Sequence, residues 1–409
     1  MSSVSEDSRV VWREPLPKHW KAIALRRVAS LKSGESISAD SISLDGDYPV
    51  YGGNGVRGFT STFTHEGHFA LIGRQGALCG NVHEVEGRLW ASEHAVVVSP
   101  TTDLDVRWLC HVLRTMDLNR YSTAAAQPGI SVDAVSSLKL PYPPTQEQKR
   151  IANFLDRQVG RIDALVTKKT RFIDLLREKH QALITHAVTK GMDRGAPMKD
   201  SGVEWLGEAP AHWKAHRLAN VFQEVTRTGH PDLPVLSISI HDGISDDELD
   251  DAERNRKVTL IEDRTKYKKV VPGDLAYNMM RAWQGAFGAV GVAGQVSPAY
   301  VVAAPKIPMN TSYVELLLRT PMAIEEMRRF SRGIADFRSR LYWENFRNIR
   351  ICLPPREEQD HILSTLTART TRIDTLITKT ERSIELLREH RTALITAAVT
   401  GKIDLRPAA

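Results

Sequence analysis

The sequence predicts an α+β fold made of two similar units, each a mixed α/β domain followed by one long helix. Three observations support this prediction. Two segments beginning at Pro143 and Pro354 nearly coincide, and both have the apolar spacing of a long amphipathic helix. Short apolar runs with glycine turns fill the stretch before each segment. We expect an internal pseudo-twofold repeat in which the two helices pair antiparallel as a coiled-coil spacer.

The size and charge of the chain set limits on its function without identifying it. Its 409 residues exceed what one hydrophobic core usually holds, so more than one domain is expected. The formal charge is +6 and the pI is near 9.1. The basic excess lies mostly between Pro143 and Leu206. Because there is no polybasic tail, any nucleic-acid surface must be assembled by folding.

The three cysteines, Cys79, Cys110 and Cys352, are isolated from one another in the sequence. This argues against a disulfide framework or a zinc ribbon. The N-terminal stretch lacks the apolar core of a signal peptide, and no apolar run approaches the length of a membrane span. We therefore expect a cytoplasmic protein with no membrane partner.

Each unit opens on a short repeated motif. The stretch "DSRVVWREPLPKHWKA" from Asp7 recurs as "DSGVEWLGEAPAHWKA" from Asp200, 193 residues later. The shared residues include His19 and Trp20 in the first copy and His212 and Trp213 in the second. Because they recur where a domain starts, we interpret them as packing residues rather than as a site.

The stretches between the opening motif and the long helix share a frame but differ in detail. "WASEHAVVVSP" from Trp90 resembles "QVSPAYVVAAP" from Gln295, and "RQGALCGNV" from Arg74 resembles "WQGAFGAVG" from Trp283. Glycine turns between short β-rich runs predict mixed α/β domains rather than helical bundles. A common frame with different loops suggests one task performed on two different targets.

Each unit closes on the repeated helical segment. "PPTQEQKRIANFLDRQVGRID" from Pro143 matches "PPREEQDHILSTLTARTTRID" from Pro354 without a gap, 211 residues later. We expect two helices of about 45 residues, roughly 68 Å each, which begin after the prolines and end near Gly191 and Gly401. The predicted apolar stripe of the first helix consists of Ile151, Leu155, Val159, Ile162, Leu165, Val166, Phe172, Ile173, Leu176 and Leu183, and that of the second includes Leu376. Two independent surface helices are the alternative.

These boundaries divide the chain into five predicted segments. They are a first recognition domain at 1–142, the first long helix at 143–193, a linker at 194–212, a second recognition domain at 213–353, and the second long helix with a C-terminal tail at 354–409.

Several motifs together resemble the specificity subunit of type I restriction–modification systems. They are the "PP-x-x-EQ-x-x-I" start of each helix, its "RID" and "ALIT-x-AVT" segments, the "SGVEWLGEAPAHWK" linker, and the "YPVYGGNGVRG" and "MRAWQGAFG" stretches. The resemblance covers nearly the whole chain. It implies that each mixed domain is a target recognition domain for one half of a bipartite, asymmetric site in double-stranded DNA. It also implies that the helices dock two adenine methyltransferase subunits.

Residues of the variable loops are the candidates for DNA contact. Arginine suits guanine and glutamine suits adenine in the major groove, and glycine-rich loops can bring such side chains close to DNA. The candidates are Asn54, Arg57, Arg74, Gln75, Arg281, Trp283 and Gln284, with His94, Arg332, Arg338 and Arg340 as weaker ones. The alternatives are a plain turn around Asn54 and a structural loop with Trp283 in the core. The G-x-G-x-x-G spacing from Gly53 does not predict a dinucleotide site, because strand- or turn-like residues follow it.

The "RID" segment supplies candidates for partner docking. Arg161 and Asp163 recur as Arg372 and Asp374 on the polar side of the helices. Residues two apart on a helix do not face each other, so a local ion pair does not explain the repetition. A structural role and a docking role both remain open.

No catalytic motif is found in the sequence. There is no phosphate-binding G-x-x-x-x-G-K-[ST] loop and no methylase motif before the paired prolines. We expect a non-catalytic chain without a cofactor or metal. Under the resemblance, S-adenosylmethionine, ATP and Mg belong to partner methyltransferase and restriction/translocase subunits. The alternative function is a coiled-coil adaptor with two protein-binding domains.

Overall fold

The structure, a computed structural model, divides the protein into two compact units. Unit 1 comprises Met1–Arg171 with Thr380–Ala409, and unit 2 comprises Phe172–Lys379. The residues that the structure describes are 15–76, 78–122, 129–240, 243–246, 263–332 and 339–406. The first eight residues of the opening repeat, 7–14, therefore lie outside the described residues.

Unit 1 contains a β-rich domain followed by a long helix. Its strands are β1 (Lys21–Ala24), β2 (Ala29–Ser33), β3 (Tyr48–Gly52), β4 (Gly55–Thr60), β5 (His65–Gly73), β6 (Val82–Ala91), β7 (Ala95–Pro100) and β8 (Lys139–Tyr142). Its helices are α1 (Val106–Thr115), α2 (Val132–Ser136) and the first part of α3 (Thr145–Lys190). Short 3₁₀ turns occur at Leu25–Arg27, Ala39–Ser41 and Leu118–Tyr121.

Among the described residues of unit 1, six strands form one sheet in the order β2-β7-β5-β6-β3-β4. The β3–β6 pair is parallel, and the other pairs are antiparallel. Helix α1 packs its apolar side on this sheet and buries Trp108 completely. Strands β1 and β8 pair separately, next to the start of α3.

Unit 2 repeats this plan with shorter strands. They are β9 (Met198–Asp200), β10 (Glu208–Pro210), β11 (Lys214–Arg217), β12 (Phe222–Glu224), β13 (Ile238–Ser239), β14 (Gly243–Ile244), β15 (Lys268–Val270), β16 (Leu275–Asn278), β17 (Phe287–Ala289), β18 (Gly294–Val296), β19 (Tyr300–Pro305) and β20 (Arg350–Leu353). Its helices are α4 (Leu218–Val221), α5 (Thr311–Leu318), α6 (Pro321–Phe330), α7 (Trp343–Phe346) and α8 (Arg356–Val399), whose last part belongs to unit 1. Further 3₁₀ turns lie at Arg264–Lys266 and Ala282–Gln284.

The two units share a four-stranded frame. The order β2-β7-β5-β6 of unit 1 corresponds to β12-β19-β16-β17 of unit 2. The registers also agree, because Ala29 pairs with Pro100 just as Phe222 pairs with Pro305. The β1–β8 pair corresponds to the β11–β20 pair. The predicted common frame of mixed domains is thus confirmed.

The repeated "EQ" dipeptide explains how each long helix is attached to its domain. Gln148 is fully buried, its Oε1 accepts from the Asp105 amide, and its Nε2 donates to the Pro143 carbonyl. Gln359 makes the same two bonds in unit 2, from the Asn310 amide and to the Pro354 carbonyl. Each glutamine therefore joins the N-terminus of α1 or α5 to the start of α3 or α8.

The glutamate of the dipeptide binds the opening motif. Glu147 Oε2 lies 3.0 Å from His19 Nε2, and Glu358 Oε2 lies 2.6 Å from His212 Nε2. Trp213 also donates from Nε1 to Glu358. Trp20 and Trp213 are buried, which confirms the interpretation of these tryptophans as packing residues. Gly401 lies against Trp20, and Gly191 against Trp213, so each tryptophan also covers the C-terminal end of a long helix.

The two long helices pair antiparallel in both units. In unit 1, the Nε of Arg391 on α8 lies 2.9 Å from Asp163 Oδ1 on α3. In unit 2, the Nε2 of His180 on α3 lies 3.6 Å from Asp374 Oδ1 on α8. From the first contact to the second, the residue number rises along α3 and falls along α8, as an antiparallel pair requires. The prediction of two long antiparallel helices is confirmed, and the alternative of independent surface helices is wrong.

The predicted apolar stripe is wrong at three positions. Leu165, Phe172 and Leu376 are each about 45% exposed, whereas Ile162, Ile173 and their neighbours in the stripe are buried. The buried positions follow the 3.5-residue spacing of a coiled coil. On α3 this spacing includes Lys169 and His180 and leaves out Leu165 and Phe172. The stripe was predicted from apolar character alone. The 3.5-residue spacing of the contact between the two helices decides which side chains face the partner helix.

Two further sequence expectations concern cysteines and membranes. Cys79, Cys110 and Cys352 are all free and buried. Burial raises the pKa of the Cys110 thiol to about 12, so it is protonated and unreactive at neutral pH. In the described ranges, no helix is both long enough and apolar enough to span a bilayer.

Removal of the buried glutamine should destabilise unit 1. Gln148→Ala leaves the Asp105 amide and the Pro143 carbonyl without their partner, which should lower the free energy of unfolding by about 2 kcal/mol. The exposed neighbour Gln146 supplies the control, and Gln146→Ala should change it by less than about 0.5 kcal/mol. Urea denaturation of both variants measures the difference. Equal effects of the two substitutions would contradict the attachment role.

Acidification should destabilise unit 1 through a buried histidine. Burial lowers the pKa of the His111 imidazole, and Arg114 lowers it further, against the opposing effect of Asp156. The unfolded chain therefore takes up a proton more readily than the folded one as the pH falls, so stability is lost towards acid. Between about pH 7.5 and pH 5.5, the melting temperature of the wild type should fall more than that of His111→Leu. His390→Leu, at an exposed histidine of the same unit, should retain the wild-type slope.

Candidate nucleic-acid interface

The arginine–glutamine candidates of the two units, Arg74 with Gln75 and Arg281 with Gln284, follow equivalent strand ends. Strand β5 ends at Gly73, which pairs with Ala95, and β16 ends at Asn278, which pairs with Tyr300. Ala95 and Tyr300 are the first residues of the corresponding strands β7 and β19. Arg74 comes one residue after its strand and Arg281 three residues after its own. The predicted equivalence of the two positions thus holds for the frame but not for the exact residue.

In unit 1, a close backbone approach brings three loops together. A Cβ on Gly73 would collide with the carbonyl oxygen of Gly53, so the end of β5 lies directly against the β3–β4 turn. A Cβ on Gly53 would itself lie 3.2 Å from the Gln75 carbonyl and 3.3 Å from the His94 carbonyl. We call the polar residues around this contact the first loop cluster: Asn54, Arg57, Arg74, Gln75, Asn81 and His94.

The glycine-rich stretch of this cluster is a β-hairpin. Strand β4 starts at Gly55, directly after Asn54, and no helix follows. Gly55 has a φ of +98°, a conformation that favours glycine. The G-x-G-x-x-G spacing is therefore not a dinucleotide fingerprint, as expected. Asn54 and Arg57 are both exposed on the hairpin.

Arg74 is held in place by hydrogen bonds from both its side chain and its backbone. Its Nη1 donates to Ser33 Oγ over 2.9 Å, and its amide donates to the His94 carbonyl over 2.8 Å. The side chain is half-buried, and Ser33 takes up only one of its five N–H donors. An arginine fixed in this way keeps donors for an anion or a base edge.

Gln75 and Asn54 each have an amide oxygen bound by a neighbour. His94 Nδ1 lies 2.9 Å from Gln75 Oε1, and His94 Nε2 lies 3.1 Å from Glu93 Oε1. Asn81 Nδ2 donates to Asn54 Oδ1 over 2.9 Å. Asn81 and Glu93 were not identified from the sequence, because an asparagine or a glutamate at these positions belongs to no recognisable motif.

In unit 2, the candidates form a 3₁₀ turn rather than a core packing loop. Arg281 precedes the turn, and Gly285 ends it with a φ of +93°. Trp283 is half-buried, and its Nε1 donates to the Met280 carbonyl. The guanidinium of Arg328 on α6 lies over the Trp283 ring at 5.6 Å, a cation–π distance. The alternative that Trp283 is a core residue is therefore wrong.

More arginines surround this turn. Arg332 and Arg340 pair through their backbones, and Leu341 donates to the Met279 carbonyl, which places them beside the turn. Arg281 lies near Tyr300, where it opposes the burial that raises the pKa of that phenol. We call Arg281, Trp283, Gln284, Arg328, Arg332 and Arg340 the second loop cluster. Arg338 lies outside the described residues. Arg328 was not among the candidates predicted from the sequence, although it lies in the "MRRF" stretch at the end of α6.

The candidates for partner docking divide into two kinds. Asp163 and Asp374 are occupied by the contacts between the helices with Arg391 and His180. Arg161 and Arg372 are exposed on the helix surface. The repeated aspartates thus have a structural contact that explains their recurrence, and only the arginines are left for docking.

The clusters offer cationic and neutral hydrogen-bond donors. Such groups bind phosphates and the acceptor atoms of base edges. Within the described ranges, no group of three or more His, Cys, Asp or Glu side chains is placed to hold a metal ion. A polar cavity of about 700 Å³ beside Trp90, lined by Asp40, Asp45 and Asp47, lies in unit 1 and contains none of the candidates.

Comparison with known proteins identifies related sequences. Residues 17–171 match the family model described as the type I restriction modification DNA specificity domain. The specificity subunit of the Escherichia coli type I restriction enzyme EcoprrI is 42% identical over 141 residues, which is 34% of this chain and 35% of that protein. The match thus spans about a third of that relative. The E. coli EcoBI specificity subunit is 21% identical over 84% of this chain and 78% of its own.

Solved structures have the same fold. A chain from a study of complex assembly and conformational transition of the type I R-M system has a TM-score of 0.66 at 15% identity, with 95% of this chain and 100% of that chain covered. The HsdS subunit from Thermoanaerobacter tengcongensis has a TM-score of 0.52 at 16% identity, covering 96% and 99%. The fold of the chain therefore resembles the fold of these solved structures along nearly its whole length.

Proposed function

We propose that this chain, whose residues 17–171 form a type I restriction modification DNA specificity domain, is the sequence-recognition subunit of a type I restriction–modification complex. Unit 1 and unit 2 would each recognise one half of a bipartite, asymmetric site in double-stranded DNA. The chain itself would perform no chemical step. The predicted segments, with recognition domains at 1–142 and 213–353, describe this division of labour.

One observation carries the proposal. The same four-stranded frame occurs in both units. Arg74 and Gln75 in unit 1 follow the same strand of that frame as Arg281 and its neighbours in unit 2. The loops share Gln-Gly-Ala, at 75–77 and 284–286, but otherwise differ, with a hairpin and Arg74 in one unit and the Trp283 turn in the other. A common frame with different donor groups suits two domains that contact different base sequences in equivalent ways.

We assign the partner surfaces to the long helices. The exposed Arg161 and Arg372 occupy equivalent positions of the repeat, as expected if two copies of one methyltransferase subunit bind to two equivalent places. S-adenosylmethionine would bind to those subunits, and ATP and Mg to restriction/translocase subunits. A coiled-coil adaptor for proteins is the less favoured alternative, because the family that matches unit 1 is a DNA specificity domain.

Exchange of one recognition domain should change one half of the methylated site. Replacing Lys21–Leu140 with the same span of a relative leaves the long helices unchanged, together with their attachment side chains Glu147 and Gln148. The assembled enzyme should then methylate a site with one new half and one old half. The reciprocal exchange of Lys214–Ile351 is the matched control and should alter the other half. Methylome sequencing measures both, and a change in both halves, or in neither, would refute the modular proposal.

Alanine at either arginine should weaken recognition of only one half-site. Arg74→Ala and Arg281→Ala each remove a fixed guanidinium, which should reduce methylation of the cognate site roughly tenfold. Discrimination should relax only in the half that each unit contacts. Methylation of a library with both half-sites randomised provides the measurement. If both variants retain the wild-type profile, the two arginines do not contact bases.

A further inference from the structure

The hydrogen-bonding state of the first loop cluster points to the kind of base edge that it recognises. We propose that His94 is a specificity-determining residue that holds the Gln75 amide so that its NH₂ group faces outward, and that the base contacted by Gln75 is guanine. This inference rests on the proposed function. It goes further, because it names the base and a positioning residue.

The orientation of Gln75 follows from the two neighbours of His94. The amide oxygen of Gln75 accepts only, so the proton of that contact must be on His94 Nδ1. Nε2 of the same ring lies 3.1 Å from Glu93 Oε1, which holds the ring in place. The ring therefore binds the Gln75 oxygen, and the amide nitrogen takes no part in this contact.

The Gln75 nitrogen is consequently left for a ligand. Gln75 is exposed, and in the part of the chain that the structure describes its Nε2 has no hydrogen-bond partner. The backbone behind it is fixed, because Gly53 lies against the carbonyls of both Gln75 and His94. The side chain thus presents a donor from a rigid base.

Asn54 shows the same pattern independently. Its Oδ1 accepts from Asn81 Nδ2, and the residue is exposed at the tip of the hairpin. Arg57 and Arg74 carry donors only. The first loop cluster therefore presents hydrogen-bond donors on every side chain that is a candidate for base contact.

A surface of donors distinguishes between bases in the major groove. Guanine offers two acceptors there, N7 and O6, and thymine offers one, O4, beside its methyl group, whereas cytosine offers only the N4 donor and adenine offers one donor and one acceptor. Two donor groups cannot satisfy the amino groups of adenine or cytosine, and thymine can accept from only one of them. Guanine is thus the base whose edge accepts from two donors, and cytosine is the base that should be rejected most strongly.

The test uses the full chain in its assembled methyltransferase and a DNA library randomised in the half-site of unit 1. Gln75→Glu keeps an oxygen for His94 but presents an oxygen outward, so preference at one position should move from guanine to cytosine or adenine, by roughly tenfold in the ratio of methylation rates. His94→Ala frees the Gln75 amide to rotate, so selectivity should be lost at that same position and retained elsewhere. Gln146→Glu adds an equal charge at an exposed site and should change nothing.

The outcomes separate this inference from the function on which it rests. If the wild type methylates a bipartite site but Gln75→Glu and His94→Ala leave the base profile unchanged, or weaken all positions equally, the inference is wrong and the function stands. If the wild type shows no guanine at any position of this half-site, the inference is also wrong. If the assembled wild type recognises no bipartite sequence, the proposed function itself fails.

Discussion

The buried amide at the start of each long helix, Gln148 in one copy and Gln359 in the other, fixes the helix to its recognition domain. Each side-chain amide accepts a hydrogen bond from a backbone N–H at the N-terminus of a domain helix. It also donates one to a backbone carbonyl before the long helix. An unsatisfied buried polar group is destabilising, so neither end of this connection can move without losing hydrogen bonds. The adjacent glutamate adds the opening histidine, and the tryptophan beside it covers a helix end.

This attachment separates a repeated scaffold from loops that differ between the two units of one chain. The frame strands, the "EQ" dipeptides and the helix pairing recur in both units. The loops after β5 and β16, 74–81 and 279–286, share Gln-Gly-Ala but differ in their other side chains. A loop held at a strand end by a rigid frame can change its donors without disturbing the core. The proposed function uses this separation, because the two halves of an asymmetric site require different contacts from similar domains.

Much of the architecture was predictable because it is repeated. Two copies in one register identify the helices, their ends and the common frame without any knowledge of contacts. The line of contact between the two long helices was less predictable. Apolar residues such as Leu165 and Phe172 lie beside this line, and Lys169 lies within it. Asn81, Glu93 and Arg328 could not be found, because their importance comes from residues distant in sequence that they contact.

The sequence by itself determined the number of units, the two long helices, the equivalence of the frames and the residue types at the loops. These features follow from local periodicity and from internal repetition, which need no tertiary information. Only the tertiary structure decided that Asp163 and Asp374 bind the opposite helix, that Trp283 stacks with Arg328, and that the Gln75 oxygen is occupied by His94. The physical reason is that a side chain's free donors and acceptors depend on which neighbours folding brings within hydrogen-bonding distance.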